Sequence, residues 1–436
     1  GQGMPAGPHI KPIRVRDEGL RRAFITMLAT QLALGFLGFL TSTIAARLLG
    51  PAGRGELAAV WSIPNLLAML GGLGMGEAAL YFAAKQPTAT RSIVQESLRI
   101  ACFGATGVFI VGVVLLHYVI EDPTTRLSAQ LNMPVAFAVA VFAVCHQPLR
   151  ALGYSRLWGT FRISIAGTWL LILLTAAIFD SHNIRGLTLT FVGAQVIVAV
   201  WATRLLHRYP DDEPPMWENF RLRLLRYGLP SSLITVPYVL NSRLDQVLMI
   251  GLVSRSNLGV YTAAVSFSLI AGFPFQALAK VTMPRVAAAD DWRPIAVRLS
   301  LSTLLLVAVV LAVVLPLTGW LFPALMGPGF REGTTAARLL VAAATIRGAA
   351  DILQETIRGL GQPSRAVVVE TIGLMVGLVA LLVLIGDHGV TGAAIASILG
   401  YGSTLLGHIL LVGVAFVRQS SDSSDNTGNR PGPANQ

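Results

Sequence analysis

Arg347, Asp351, Gln354, Glu355 and Arg358 recur within a stretch that otherwise reads as apolar. At about 100° per residue they share an arc of about 100°, so a helix here carries one polar stripe. Guanidinium and carboxylate groups in that arrangement suit recognition of an anion: Arg347 meets the negative charge, and Asp351 or Glu355 tunes it. The same spacing also permits self-neutralisation, because Arg347 and Asp351 are i, i+4 neighbours. A second set, Ser231, Tyr238, Asn241 and Asp245, falls at spacings that place all four on one side of a helix, with Arg243 pointing away from them. Lys280 and Arg47 are further cations in apolar surroundings, and all of these are candidates to line a polar cavity. His146, followed by Gln147, Pro148 and Arg150, is a candidate coupling group, since imidazole titrates near neutral pH; a lone histidine is more often a satisfied packing residue.

Catalytic and metal chemistry find little to build on. There is no P-loop, so ATP hydrolysis by that route is excluded. Cys102 and Cys145 lack the CxxC or histidine spacing of a metal site, so neither a metal nor another cofactor is expected. The acidic run Asp211-Asp212-Glu213 lies between Pro210 and Pro214 and reads as a solvated linker.

The elements that must hold these charges are membrane spans. Of 436 residues only 13% are charged, about half the roughly 25% of soluble domains, and the mean hydropathy is +0.65. Twelve apolar stretches are long enough to cross a bilayer: 24–46, 57–84, 99–120, 133–152, 158–179, 186–206, 228–252, 259–283, 296–321, 335–358, 366–386 and 391–417. A charge at the centre of such a span costs about 2.5 to 3.5 kcal/mol even on the gentlest scale, so Arg347 and its neighbours must face protein or water. With the N-terminus inside, inward segments hold 24 Lys/Arg and outward ones 7, the bias that the positive-inside rule predicts. Both termini are therefore expected in the cytoplasm. The net charge of +11 is scattered in short clusters, which excludes a nucleic-acid partner.

The resulting organisation is a cytoplasmic segment 1–23, an N-lobe 24–206 of six helices, a cytoplasmic linker 207–227, a C-lobe 228–417 of six helices, and a tail 418–436 too polar to order itself. Weak self-similarity relates the halves: Gly55-Glu56-Leu57-Ala58-Ala59 and Gly259-Val260-Tyr261-Thr262-Ala263 are offset by 204. Even span counts keep both halves in one orientation, with a repeat axis along the membrane normal.

Three stretches carry a family resemblance. Residues 43–61, Thr-Ile-Ala-Ala-Arg-Leu-Leu-Gly-Pro-Ala-Gly-Arg-Gly-Glu-Leu-Ala-Ala-Val-Trp, resemble the first outer turn of bacterial polysaccharide biosynthesis transporters, the O-antigen flippase branch of the multidrug/oligosaccharidyl-lipid/polysaccharide (MOP) superfamily. Residues 226–264, with Arg226-Tyr227-Gly228-Leu229-Pro230, Leu244-Asp245-Gln246 and Leu258-Gly259-Val260-Tyr261, are similar to the start of that family's second half. Residues 359–397, with Gly359-Leu360-Gly361-Gln362-Pro363 and Gly389-Val390-Thr391-Gly392-Ala393-Ala394, are similar to its eleventh and twelfth helices. The resemblance covers about residues 20–418 and implies an all-α integral membrane protein, twelve transmembrane helices in two pseudo-symmetric six-helix lobes around a central cavity. It implies a bacterial plasma-membrane flippase that moves undecaprenyl-pyrophosphate-linked oligosaccharide outward by alternating access. Its expected partners are membrane lipids, a polysaccharide polymerase and glycosyltransferases. On residues, it carries over the packing of Gly50, Pro51, Gly53, Arg54, Gly55 and Gly259, together with Asp245. Two relatives are alternatives. Lipid II flippases usually have fourteen helices against twelve here, and cation-coupled drug exporters of the MATE type commonly have an acid in the first helix, where none occurs between Ala23 and Leu49. From another class, a membrane-embedded polymerase or glycosyltransferase would need a large catalytic loop, and the loops here are short.

Overall fold

A computed structural model describes the backbone of residues 20–287, 291–360 and 362–428; side chains are described for most of these, the main exceptions lying around 231–243, 280–287 and beyond 417. The N-terminal segment thus lies almost wholly outside the described residues. The described residues contain no β-strand. Their α-helices are α1 (Leu20–Gly71), α2 (Met75–Lys85), α3 (Thr90–Val119), α4 (Pro123–Asn132), α5 (Val135–His146), α6 (Pro148–Ala151) and α7 (Ser155–Ile178), then α8 (Ile184–Thr203), α9 (Phe220–Leu252), α10 (Arg255–Ala287), α11 (Arg293–Val309), α12 (Leu315–Met326), α13 (Thr334–Gly359) and α14 (Pro363–Gly428). All twelve expected spans are helical. Among the described residues, eight continuous stretches are long and apolar enough to cross a membrane, and two of them, Ile25–Lys85 and Ser364–Val417, each contain two expected spans. In hydrocarbon every backbone N–H and C=O needs an internal partner, which is why an apolar chain of this kind folds as helices.

The 52 residues of α1 would run about 78 Å if straight, far more than a bilayer core. The helix breaks at Gly50, whose φ of 66° and ψ of −178° suit only glycine, and Pro51 after it disfavours the helical region for its predecessor. In α14 the corresponding break is at Gly389.

By packing, the chain divides into two units. One runs up to Ala263 and takes in Leu325–Phe330; the other comprises Ala264–Ala324 and the chain from Arg331. The reason α9 and the start of α10 join the first unit is visible at Gly55 and Gly259. A Cβ on Gly55 would overlap the Arg255 carbonyl oxygen, and one on Gly259 would overlap the Pro51 carbonyl oxygen. Arg255 precedes Gly259 by four residues, as Pro51 precedes Gly55. The contact is therefore reciprocal, as across a local two-fold axis, between the two positions that the sequence offset of 204 equates. Nearby, Arg255 binds Asp122 at 2.8 Å. Asp122 also caps α4, accepting from the Thr125 N–H at 2.8 Å and from the Thr124 and Thr125 hydroxyls, and these donors hold its carboxyl well below the usual carboxylate range. Apolar length alone leaves α4 among the loops, although Asp122-Pro123 is a legible helix start.

Two other expectations change. The linker is strapped down rather than merely solvated: Asp211 accepts from Ser92 at 2.7 Å, Glu213 accepts from Thr88 at 3.0 Å, and Gln86 bonds both the Pro214 carbonyl and the Met216 N–H. The acids sit against the N-terminus of α3, where its unpaired N–H groups favour negative charge. Tyr209 is buried and donates to the Cys145 carbonyl at 2.5 Å. Secondly, α14 continues to Gly428, into the tail expected to be without structure, because extending an existing helix costs little compared with nucleating one.

Gly259→Ala forces backbones apart at this crossing and is expected to destabilise the protein by about 1 to 3 kcal/mol. Gly107→Ala, where a Cβ meets nothing within 4 Å, is expected to be neutral or stabilising; thermal unfolding in detergent compares the two.

Candidate functional site

Among the described residues, each packed unit holds a cluster of polar side chains at membrane-span positions. In the second unit the cluster is built by α13 and both limbs of α14. Arg347 donates from Nε to Asp351 Oδ1 at 2.8 Å and from Nη1 to Glu370 Oε2 at 2.8 Å. Its guanidinium also lies 5.7 Å from the centre of the Tyr401 ring. The Glu370 side chain is 3% exposed and His408 is completely buried. The His408 ring faces the Ala350 and Ala366 carbonyls, yet neither ring nitrogen makes a hydrogen bond of good geometry.

The stripe expected on this helix therefore exists, and its chemistry is largely answered within the unit. Two carboxylates from two helices meet Arg347, so the guanidinium ties α13 to α14. Farther along the helix, Arg358 pairs with Glu355 at 2.7 Å and is otherwise exposed. Glu370 is the partner that reading along the sequence misses. It is the single acid within the span 366–386, and that isolation is a usable signal.

In the first unit, the cluster gathers where α5, α6 and α7 meet. His146 stacks on Phe142, ring centres 4.1 Å apart, and its Nδ1 lies 2.7 Å from the Phe142 carbonyl. A carbonyl only accepts, so Nδ1 carries the proton, and the ring is a satisfied packing group. Around it lies an arrangement that motif and spacing do not single out. The guanidinium carbons of Arg150 and Arg162 lie 5.4 and 5.0 Å from the centre of the Trp158 ring. The indole is oriented by a chain of bonds, Trp158 Nε1 donating to Gln147 at 3.0 Å and Gln147 donating to Glu77 at 2.8 Å. Both arginines are partly exposed, and among the described residues neither has a carboxylate within ion-pair distance. Arg162 begins the third turn of α7, about 10 Å from its start.

The remaining candidates are placed as follows. Arg47 donates to the Leu325 carbonyl at 2.7 Å, close to the end of α12, where a cation complements the helix dipole. Arg54 donates to Ser42 at 3.2 Å across the Gly50 bend, and a Cβ on Gly53 would meet Leu49 first, at 3.0 Å. Asp245 accepts from the Tyr261 hydroxyl at 2.5 Å, linking α9 to α10. The side chains of Asn241, Arg243 and Lys280 lie outside the described residues. No group of His, Cys, Asp and Glu among the described residues could hold a metal ion.

No family model and no curated protein matches the sequence. Solved structures share the fold. The lipid II flippase MurJ in an inward closed conformation matches with a TM-score of 0.73 at 11% identity over 89% of this chain and 87% of that one. A multidrug resistance MATE family transporter of the MOP superfamily, in an outward-facing conformation, matches with a TM-score of 0.62 at 15% identity over 94% and 99%. A MOP superfamily transporter from Pyrococcus furiosus, described as having a binding pocket of reverse polarity, matches with a TM-score of 0.59 at 16% identity over 90% and 96%. The chain thus shares the helical fold of these structures.

Removing Arg347 leaves two buried carboxylates facing each other. Arg347→Met is therefore expected to destabilise the protein by about 3 to 5 kcal/mol, and adding Glu370→Met and Asp351→Leu to recover most of the loss, as read by thermal unfolding.

Proposed function

We propose that this protein is a flippase for a pyrophosphate-linked lipid oligosaccharide of the bacterial plasma membrane, carried from the inner to the outer leaflet for surface polysaccharide assembly. The observation that carries this reading is the pair Arg150 and Arg162 at Trp158, two guanidiniums beside one oriented indole with no acid partner among the described residues. A pyrophosphate diester brings about two negative charges to two planar donors, and Arg is the side chain best matched to phosphate oxygens. The buried indole between them holds both guanidiniums in place by cation–π contact. Arg347, neutralised by Asp351 and Glu370, holds helices together in this scheme, and Arg358 and Glu355 form a polar continuation of the same face.

The energetics fit such a cargo. Outward movement of two negative charges through a potential that is negative inside gains about 2.3 kcal/mol per charge per 100 mV, so about 4 to 5 kcal/mol in all. That drives the step without ATP. The fold shared with a lipid II flippase and with MATE transporters supports alternating access of a membrane-embedded cargo. The protein supplies binding and exclusion rather than bond chemistry. A polysaccharide polymerase and glycosyltransferases would act before and after it on the same lipid. The MATE similarity supports a second reading, exchange of a drug for a cation.

In liposomes, a fluorescent undecaprenyl-pyrophosphate sugar is expected to cross to the far leaflet, faster under an imposed potential. Arg150→Gln with Arg162→Gln is expected to slow it by about tenfold or more, from the loss of charged hydrogen bonds of about 1.5 to 3 kcal/mol each. A double variant that flips at the normal rate would remove the arginine pair from the cargo site. No flipping of any pyrophosphate lipid by the parent protein, with saturable drug or cation exchange instead, would establish the second reading.

A further inference from the structure

Away from the Trp158 cluster, the first unit has a cavity of about 440 Å³ where α2 ends and α9 begins, beneath the strapped linker. Three cations line it, Lys85, Arg223 and Arg226, and all three are exposed. Among the described residues none of them has a carboxylate within ion-pair distance, although Glu218 contributes one acid to the lining. The opposite character comes from rings. Tyr81 and Tyr227 stack with centres 4.2 Å apart and planes 16° from parallel, and Phe82 packs edge-on against Tyr227 and Trp217. Lys85 sits 4.7 Å over the Tyr81 ring, and Arg223 is held by a bond from Nε to the Glu218 carbonyl at 3.3 Å. The linker straps fix Trp217 and Asn219 in this wall, so the site is pre-built rather than assembled by the ligand.

Three positive charges against one negative select an anion, and the aromatic wall selects one joined to something apolar. The neighbouring surface is apolar as well: Met216 is 63% and Leu222 47% exposed. Rings and long cationic side chains of this kind belong at the level of lipid head groups. On the orientation given by the charge bias this level is the inner leaflet, whose surface is negative.

We infer that the cavity bounded by Lys85, Arg223, Arg226 and the Tyr81–Tyr227 stack binds the phosphate head group of an anionic inner-leaflet lipid, separately from the cargo arginines. The phosphodiester takes the cations, the glycerol backbone lies on the rings, and the acyl chains leave past Leu222. Such a lipid fastens the linker and the start of α9 to α2.

The full-length protein in phosphatidylcholine vesicles, with a small share of phosphatidylglycerol carrying a diazirine near its head group, tests this. Photolysis is expected to label peptides containing residues 81–85 and 217–227. Unlabelled phosphatidylglycerol should compete, and extra phosphatidylcholine should not. Arg223→Gln with Arg226→Gln should cut this labelling by about tenfold or more. Lys85→Gln, tested separately, should cut it less, and labelling elsewhere with an unchanged melting temperature reports that the variants are folded. Equal labelling by a phosphatidylcholine probe, or undiminished labelling in the folded double variant, would overturn the assignment. Loss of labelling on adding millimolar inorganic phosphate would also overturn it, making the site one for a soluble anion.

Discussion

Where the bend of α1 meets the start of α10, two backbones approach so closely that neither Gly55 nor Gly259 has room for a methyl group. Helices in a membrane gain little from hiding apolar surface, since lipid is equally apolar, and close backbone packing is what remains to hold them. This contact sits beside the break at Gly50 and beside the Arg255–Asp122 pair. It commits the chain up to Ala263 to one packed unit, so that α9 serves the first unit although it follows the linker. The wall of the cavity at the other end of α9 depends on that commitment, because Arg223, Arg226 and Tyr227 belong to the same helix.

Charge is handled by two rules within the chain. Around Arg347 the guanidinium bonds of the stripe end on carboxylates of the same unit, from α13 itself and from α14. Such a pair is expensive to break and contributes more to the choice of one helix arrangement than to net stability. Around Trp158 two guanidiniums share one ring and, among the described residues, no acid. Like charges near one ring without an acid partner cost energy, and on the proposed function an anionic cargo offsets that cost. On the proposed function, this contrast separates arginines that hold helices together from those offered to a cargo.

Sequence alone determined the class and most of the architecture: twelve apolar spans, the internal offset that equates Gly55 with Gly259, and the polar stripe on α13. These follow from hydropathy and helical periodicity, which are local properties and survive any tertiary arrangement. The helix α4 and the early start of α9 are also written locally, in Asp122-Pro123 and in the amphipathic run after Trp217, but apolar length is blind to them.

Only the tertiary structure decided what the charges do. Arg347 and Asp351 share a helix, so their pairing was legible; Glu370 reaches them from another helix, and no periodicity links positions 23 residues apart. Arg150 and Arg162 belong to different helices and acquire a joint meaning through Trp158 and the Gln147–Glu77 chain. The acids of the linker likewise found their hydroxyl partners only when the fold brought them to Thr88 and Ser92. Hydrophobic pattern specifies which residues leave water, whereas the partner of a buried or half-buried charge is set by distances that exist only once the helices have packed.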